Sequence, residues 1–128
     1  GSPHHLAFVD DVAAVDVATT GAAIAHGAPY FADGTNVNFV EVTAADSLIV
    51  RTYERGVEAE TLSCGTGVTA AAIGAHLSKR VSAEKISIQT KGGVLTVSFT
   101  ATSNGYEAVV LQGPATAVYK GQWEITTK

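Results

Sequence analysis

The chain carries one cysteine, Cys64, and the residues around it decide what that cysteine can do. Ser63-Cys64-Gly65-Thr66-Gly67-Val68 leads into Thr69-Ala70-Ala71-Ala72-Ile73-Gly74-Ala75-His76-Leu77, a run of small and apolar residues without a charged face. A helix starting just after Cys64 places the thiol at the positive end of the helix dipole, beside backbone N–H groups that have no intrahelical partner. Gly65 and Gly67 carry no side chain to keep an anion away from those groups. The same position favours thiolate over thiol, so the pattern suits a nucleophile or base next to an anion-binding turn. A structural cysteine fits the residue types too, since unpaired Cys is among the most buried residues.

Other candidates lie upstream. Tyr53-Glu54-Arg55-Gly56 ends a strand-like run in adjacent opposite charges. Arg55 could take a carboxylate by two parallel hydrogen bonds and Glu54 an ammonium, which together would hold a zwitterion. A solvated ion pair is the alternative. In Gly34-Thr35-Asn36-Val37-Asn38 the period of a strand puts Asn36 and Asn38 on one face, either towards a ligand or capping the loop. Gly65-x-Gly67-x-x-Ala70 has the form of a dinucleotide fingerprint, but Glu60-Thr61-Leu62-Ser63 before it makes a poor buried parallel strand. His4 and His5 are adjacent while His26 and His76 stand alone, so no ligand spacing recurs and we expect no metal site. His76 on an apolar helix reads as a hydrogen-bonded core residue. A Cys-His-Asn arrangement stays open, because spacing along the chain does not decide it.

The elements that must position these groups follow from periodicity and turn chemistry. His5 to Val9 reads as a strand, Asp16 to His26 as a short capped helix, and Gly27 to Gly34 as a loop. Asn36 to Val42 and Leu48 to Glu54 are rich in Val, Ile, Phe and Tyr, and Thr43-Ala44-Ala45-Asp46 between them predicts a hairpin. Arg55 to Ser63 reads as a polar connection into the Cys64 helix, which should end near Lys79 and Arg80. Apolar residues line that helix all round, which predicts a buried helix wrapped by other elements. Beyond it the period is two: Ile86 to Thr90, Val94 to Phe99, and Tyr106 to Gln112 after the Asn104-Gly105 turn, with Ala115 to Ile125 as a last strand. The expected fold class is α+β, with a mixed or antiparallel β-sheet of seven or so strands curled around a central apolar helix and a short helix outside.

Composition narrows the function classes. At 128 residues, 46% of them apolar and 16% charged, the chain fits one globular domain able to bury a core. One cysteine makes no internal disulfide, which suits a reducing, cytoplasmic setting. A net charge of −4 without a basic cluster argues against nucleic acid, and no apolar run has the length of a membrane span. The chain has no methionine, so we expect a processed product or a piece of something longer. Gly1-Ser2 reads either as part of a native turn or as a remnant of cloning.

GTNVNFVEV followed by RTYERGVEAETLSCGTGVTAAA, with Gly1-Ser2-Pro3-His4 at the start, resembles the second half of a diaminopimelate epimerase over residues 1–121. The resemblance implies a cofactor-independent isomerase of lysine and peptidoglycan precursor synthesis that uses neither pyridoxal phosphate nor metal. It implies two similar domains, each wrapping strands around a central helix and each bringing one cysteine to the cleft between them. Residues 1–128 would then be the C-terminal domain, with its N-terminal domain absent as a partner and a homodimer open. By the same resemblance Cys64 is catalytic, and Gly65 and Thr66 supply the helix-terminus amides for the substrate α-carboxylate. Ser2, Asn36, Glu54 and Arg55 match substrate-contacting positions, while His4 and Glu54 match residues that tune the cysteines. The chain departs from the family pattern at Ser2, where Asn is usual, and by one added residue near Glu58-Ala59. It also lacks the first-half cysteine.

The chemistry accounts for the pair of cysteines. Inverting a carbon means removing a proton from one face and supplying one to the other, which a thiolate and a thiol on opposite sides do without moving the substrate. With one cysteine the chain alone should be inactive. The alternatives are a proline-racemase-like or phenazine-pathway-like isomerase, or an isolated zwitterion-binding domain.

Overall fold

In the computed structural model, which describes residues 1–127, strands from both ends of the chain join one mixed sheet with a helix on each face. The elements are β1 (His4–Phe8), α1 (Val17–His26), β2 (Asn36–Ala44), β3 (Ser47–Glu54), β4 (Ala59–Thr61), α2 (Gly65–Leu77), β5 (Lys85–Thr90), β6 (Gly93–Thr102) and β7 (Gly105–Gln112). The strand order is β1-β2-β3-β5-β6-β7. β1 runs parallel to β2 and β3 parallel to β5, while the remaining pairs are antiparallel. β4 and β5 share one edge of β3, with β5 along residues 47–49 and β4 along residues 52–54.

Strand alternation divides the core in two. Val40, Leu48, Val50, Ile86, Ile88 and Val97 face α2, whereas Val37, Phe39 and Tyr53 face α1 together with Val12, Val17 and Ala25. Because α2 touches every strand but β4, the sheet must curl around it. The helix can sit this deep because Gly67, Ala71, Ala72 and Ala75 present almost no side chain to the strands. Its opposite face is not covered as its all-round apolarity predicted: Ile73 is half-buried and Leu77 is 70% exposed. α2 ends at Leu77 with Ser78 as its cap, slightly before the expected Lys79 and Arg80.

Two expectations are corrected. The connection from Arg55 to Ser63 contains β4, so the chain enters α2 from a short antiparallel strand, and no dinucleotide-type β-α-β unit forms there. Ala115 to Ile125 forms no strand. Its large apolar side chains, Val118, Tyr119, Trp123 and Ile125, are all more than 80% exposed. A period-two pattern makes a strand only when another strand supplies hydrogen bonds and cross-strand contacts, and the chain leaves β7 at Gly113-Pro114 without returning to an edge. Elsewhere sequence and structure agree closely. Asp16 caps α1 by accepting from Thr19 N–H at 3.2 Å, and His76 packs edge-on against Phe99 with Nδ1 2.9 Å from the Tyr106 hydroxyl.

The seating of α1 is testable at Gly21, where an added Cβ would lie 2.5 Å from Tyr53 Cβ. Alanine there gains about 1 kcal/mol of helix propensity. Overpacking against an atom held by the β3 backbone costs about 1–3 kcal/mol. Gly21→Ala should therefore lower the urea midpoint, and a raised midpoint would mean that α1 can lift off the sheet freely.

Candidate active site

Three connections converge on the N-terminus of α2. The first is the approach from β4. Arg51 donates from Nε and Nη2 to the two oxygens of Glu60 at 2.7 and 2.9 Å, and Lys91 Nζ adds a contact at 3.0 Å. The Arg51 hydrogen bonds, reinforced by Lys91, hold the Glu60 carboxyl below its usual range. Gly92 N–H also donates to Leu62 O at 2.8 Å, so the segment just before Cys64 is tied to β3 and to the turn between β5 and β6.

The second connection is a buried amide pair on β2. Asn36, 5% exposed, donates from Nδ2 to Ser2 Oγ and Pro3 O, both at 3.0 Å, and accepts from Arg55 N–H at 2.7 Å. It thereby fixes the start of β1 and the end of β3 against each other. Asn38, fully buried, bonds to His4, His5 and Thr52 in the same way. The third connection is His4 itself, whose Nε2 lies 2.9 Å from Thr66 Oγ1. Burial holds its imidazole below the ordinary histidine range, against an upward pull from the Glu54 carboxylate.

These connections frame an open cleft of about 710 Å³. Ser2, His4, Glu54, Cys64, Gly65 and Thr66 line its polar end, and Ala70, Ile73 and Leu111 its apolar side. Cys64 is the N-cap of α2, yet its side chain makes no capping hydrogen bond, so the sulfur does not occupy the first-turn N–H groups. The thiol is half-buried, with Sγ 3.6 Å from Thr66 Oγ1. A carboxylate set against this helix end would meet unpaired N–H donors within reach of a sulfur that can move a proton.

Six sequence-predicted residues, Ser2, His4, Glu54, Cys64, Gly65 and Thr66, thus share one cleft. Asn36 and Arg55 do not line it: the Asn36 amide is engaged with the chain itself, and exposed Arg55 donates from Nη1 to Asp33 O at 3.0 Å. Sequence reasoning did not reach the apolar wall. Leu111 comes from β7, remote in sequence, and only the pairing of β7 on the curled sheet brings it near Gly65. It also passed over Thr52, which a correctly registered hairpin places opposite Asn38.

Glu58 ties down the connection that leads from β3 towards Cys64. Glu58, at φ +58°, accepts from the Tyr53 hydroxyl at 2.6 Å and from Gly56 N–H at 3.2 Å, and its Oε2 lies 2.6 Å from His26 Nε2. The Tyr53 bond first, then His26 and Gly56, pull its pKa from 4.5 down to about 2. A carboxyl more acidic in the folded state stabilises fully above its unfolded pKa and loses that effect as pH falls through the folded one. Glu58→Gln should therefore be less stable than the parent chain above about pH 4.5, with the difference closing towards about pH 2. Denaturation at a series of pH values checks this, and a constant difference across the range would remove the carboxylate from the clamp.

A family model described as diaminopimelate epimerase matches residues 1–118. A diaminopimelate epimerase of Chlorobaculum tepidum is 46% identical over 94% of this chain and 46% of its own length. One from Aquifex aeolicus is 43% identical over 95% of this chain and 43% of its own. The chain thus spans about half the length of the curated relatives it matches. Among solved structures, a phenazine biosynthesis protein of the PhzF family from Enterococcus faecalis superposes with a TM-score of 0.58 at 19% identity, over 77% of this chain and 34% of that one. A PhzC/PhzF protein from Clostridium difficile does so at 0.56 and 22%, over 77% and 34%. That likeness is one of fold. Since the family model matches residues 1–118, a stretch that includes both buried amides, the α2 N-terminus and Leu111, the chain belongs to the diaminopimelate epimerase family.

Proposed function

We propose that this chain is the cysteine-bearing second half of a cofactor-independent epimerase that interconverts LL- and meso-diaminopimelate. The observation that carries the reading is Cys64 at the uncapped N-terminus of α2, in one cleft with Glu54 and His4. The names of its relatives supply the substrate.

In this mechanism the α-carboxylate of the substrate rests on the amides of Gly65 and Thr66. The α-hydrogen of an amino acid is weakly acidic, so negative charge must be stabilised as it moves from the α-carbon onto the carboxylate. Preorganised N–H donors aimed at that charge do so, and losing one such donor typically costs roughly 10²–10³ in rate. Cys64 takes the proton as thiolate, or gives it as thiol, on one face of the carbon. Ser2 and Glu54 hold the polar groups of the substrate, and His4 and Glu54 set the protonation balance around the sulfur. Asn36 acts by holding Ser2 and the backbone of Arg55, and Arg55 offers its guanidinium to a carboxylate from the rim. The methylene chain of the substrate lies along Ala70, Ile73 and Leu111. The opposite face needs a second acid, which the first half of the enzyme brings as its own cysteine.

The fragment alone should therefore not invert diaminopimelate. Exchange of the α-hydrogen with solvent deuterium can persist at a trace level, because water can return a proton to the face it left. Adding the first half of the Chlorobaculum tepidum relative as a separate polypeptide should restore inversion in proportion to both concentrations. Cys64→Ser should abolish the gain while binding remains measurable. Turnover of LL-diaminopimelate by this chain alone at about 10 s⁻¹, an ordinary enzyme rate, would overturn the two-cysteine mechanism.

A further inference from the structure

Asn38 lies in the middle of β2 with no exposed surface, and the mechanism above gives it no task. Its amide has three partners. The Thr52 hydroxyl donates to Oδ1 at 2.9 Å, while Nδ2 lies 3.3 Å from the main-chain oxygen of His5 and 3.1 Å from His4 Nδ1. A carbonyl oxygen can only accept, so the His5 contact identifies which end of the amide is nitrogen. Both Nδ2 hydrogens are then assigned, one to His5 O and one to His4 Nδ1.

An Nδ1 that accepts carries no hydrogen, so the neutral His4 ring must carry its hydrogen on Nε2. Burial supports the neutral form by holding the His4 pKa down. Nε2–H then donates to Thr66 Oγ1 at 2.9 Å. A hydroxyl that accepts from the ring keeps its own hydrogen for another acceptor, and Cys64 Sγ is in reach at 3.6 Å. The chain of donors runs one way, from Asn38 through His4 and Thr66 to the sulfur.

We infer that Asn38 is a positioning residue for the reaction: it fixes the His4 tautomer and thereby aims the Thr66 hydroxyl hydrogen at the Cys64 sulfur. The inference rests on the proposed function for its catalytic meaning, but its geometry stands apart from it. Asparagine suits the task for two reasons. Aspartate, an acceptor, would reverse the chain: Nδ1 would carry the hydrogen, and a neutral Nε2 would draw the Thr66 hydrogen away from sulfur. A longer side chain has no room, because even a Cβ at Gly67 would overlap Asn38 Oδ1. Among the described residues, the titratable groups lining the cleft with Cys64 are His4, from β1, and Glu54, from β3, while α2 and β7 bring none to it.

The test uses this chain with ¹⁵N-labelled histidine, the His4 signals being assigned by their loss in His4→Gln. Near pH 8 the imidazole shifts should show His4 protonated on Nε2 and bare on Nδ1, and Asn38→Asp should place a hydrogen on Nδ1. Iodoacetamide labelling of Cys64 across pH reads the far end of the chain. Thr66→Val should slow labelling about three- to tenfold below the midpoint of the profile, the size of one typical hydrogen bond, and move the profile to higher pH. Thr66→Ser should restore it, and Asn38→Leu should shift it in the same direction as Thr66→Val. Should Asn38→Leu fail to fold, the wild-type ring and Thr66→Val still decide. A hydrogen on Nδ1 in the wild-type chain, or a Thr66→Val profile equal to wild type, overturns the inference. Neither readout needs turnover. Failed inversion with the relay intact would count against the epimerase reading alone, and restored inversion with no relay against this inference alone.

Discussion

The absence of a side chain at Gly67 is the constraint from which the site follows. It lets the first turn of α2 press onto the buried amide of Asn38, too close to admit even a methyl group. That contact sets how deep the helix sits in the curled sheet, and so where its N-terminus opens. Because Asn38 is wholly buried, its polar atoms must find partners inside the protein, and they do so on β1 and β3. One close approach thus holds three strands and a helix in register, with the cysteine at their meeting point. Helix propensity alone would favour alanine over Gly67 by about 1 kcal/mol, so packing at the site outweighs local preference here.

The approach to Cys64 shows a similar balance between a mobile-looking sequence and a fixed structure. Arg55 to Ser63 is polar, with few residues that would claim a core position. Hydrogen bonding to charged groups orders it instead: Glu60 between Arg51 and Lys91, Glu58 between Tyr53 and His26. Both carboxylates are held below their ordinary pKa chiefly by donors from outside the segment, with Gly56 N–H adding to the effect at Glu58. The cysteine is therefore placed by electrostatic contacts on its N-terminal side and by apolar packing of Val68, Ala71 and Ala72 on the other.

Much of this was legible from residue types. The uniform smallness of Val68 to Ala75 marked the central helix, runs rich in Val, Ile, Phe and Tyr marked β2 and β3, period-two runs marked β5 and β6, and CGTG and YERG marked residues that the structure brings to one cleft. What the sequence could not show is what depends on register. A hairpin centred on Thr43-Ala44-Ala45-Asp46 would set Thr52 opposite Val37, but the turn is centred on Ala45-Asp46, with Ala44 opposite Ser47, and the irregularity between Val42 and Ala44 then brings Thr52 opposite Asn38. A slip of one residue exchanges the two faces of a strand, and with them the polar network and the core. The last strand failed for a related reason. Alternation in Ala115 to Ile125 describes a capacity for pairing, and whether pairing occurs depends on a neighbour that alternation does not identify.

The exposed tail has an optical consequence. Trp123 is the sole tryptophan of the chain and is 90% exposed, so its indole emits from water rather than from a core. Unfolding of the sheet would leave that emission nearly unchanged, and tryptophan fluorescence is a poor gauge of whether this chain is folded. The same isolation makes it a background-free reporter of anything that seats the tail, because dehydration of this one ring would move the whole spectrum to shorter wavelength.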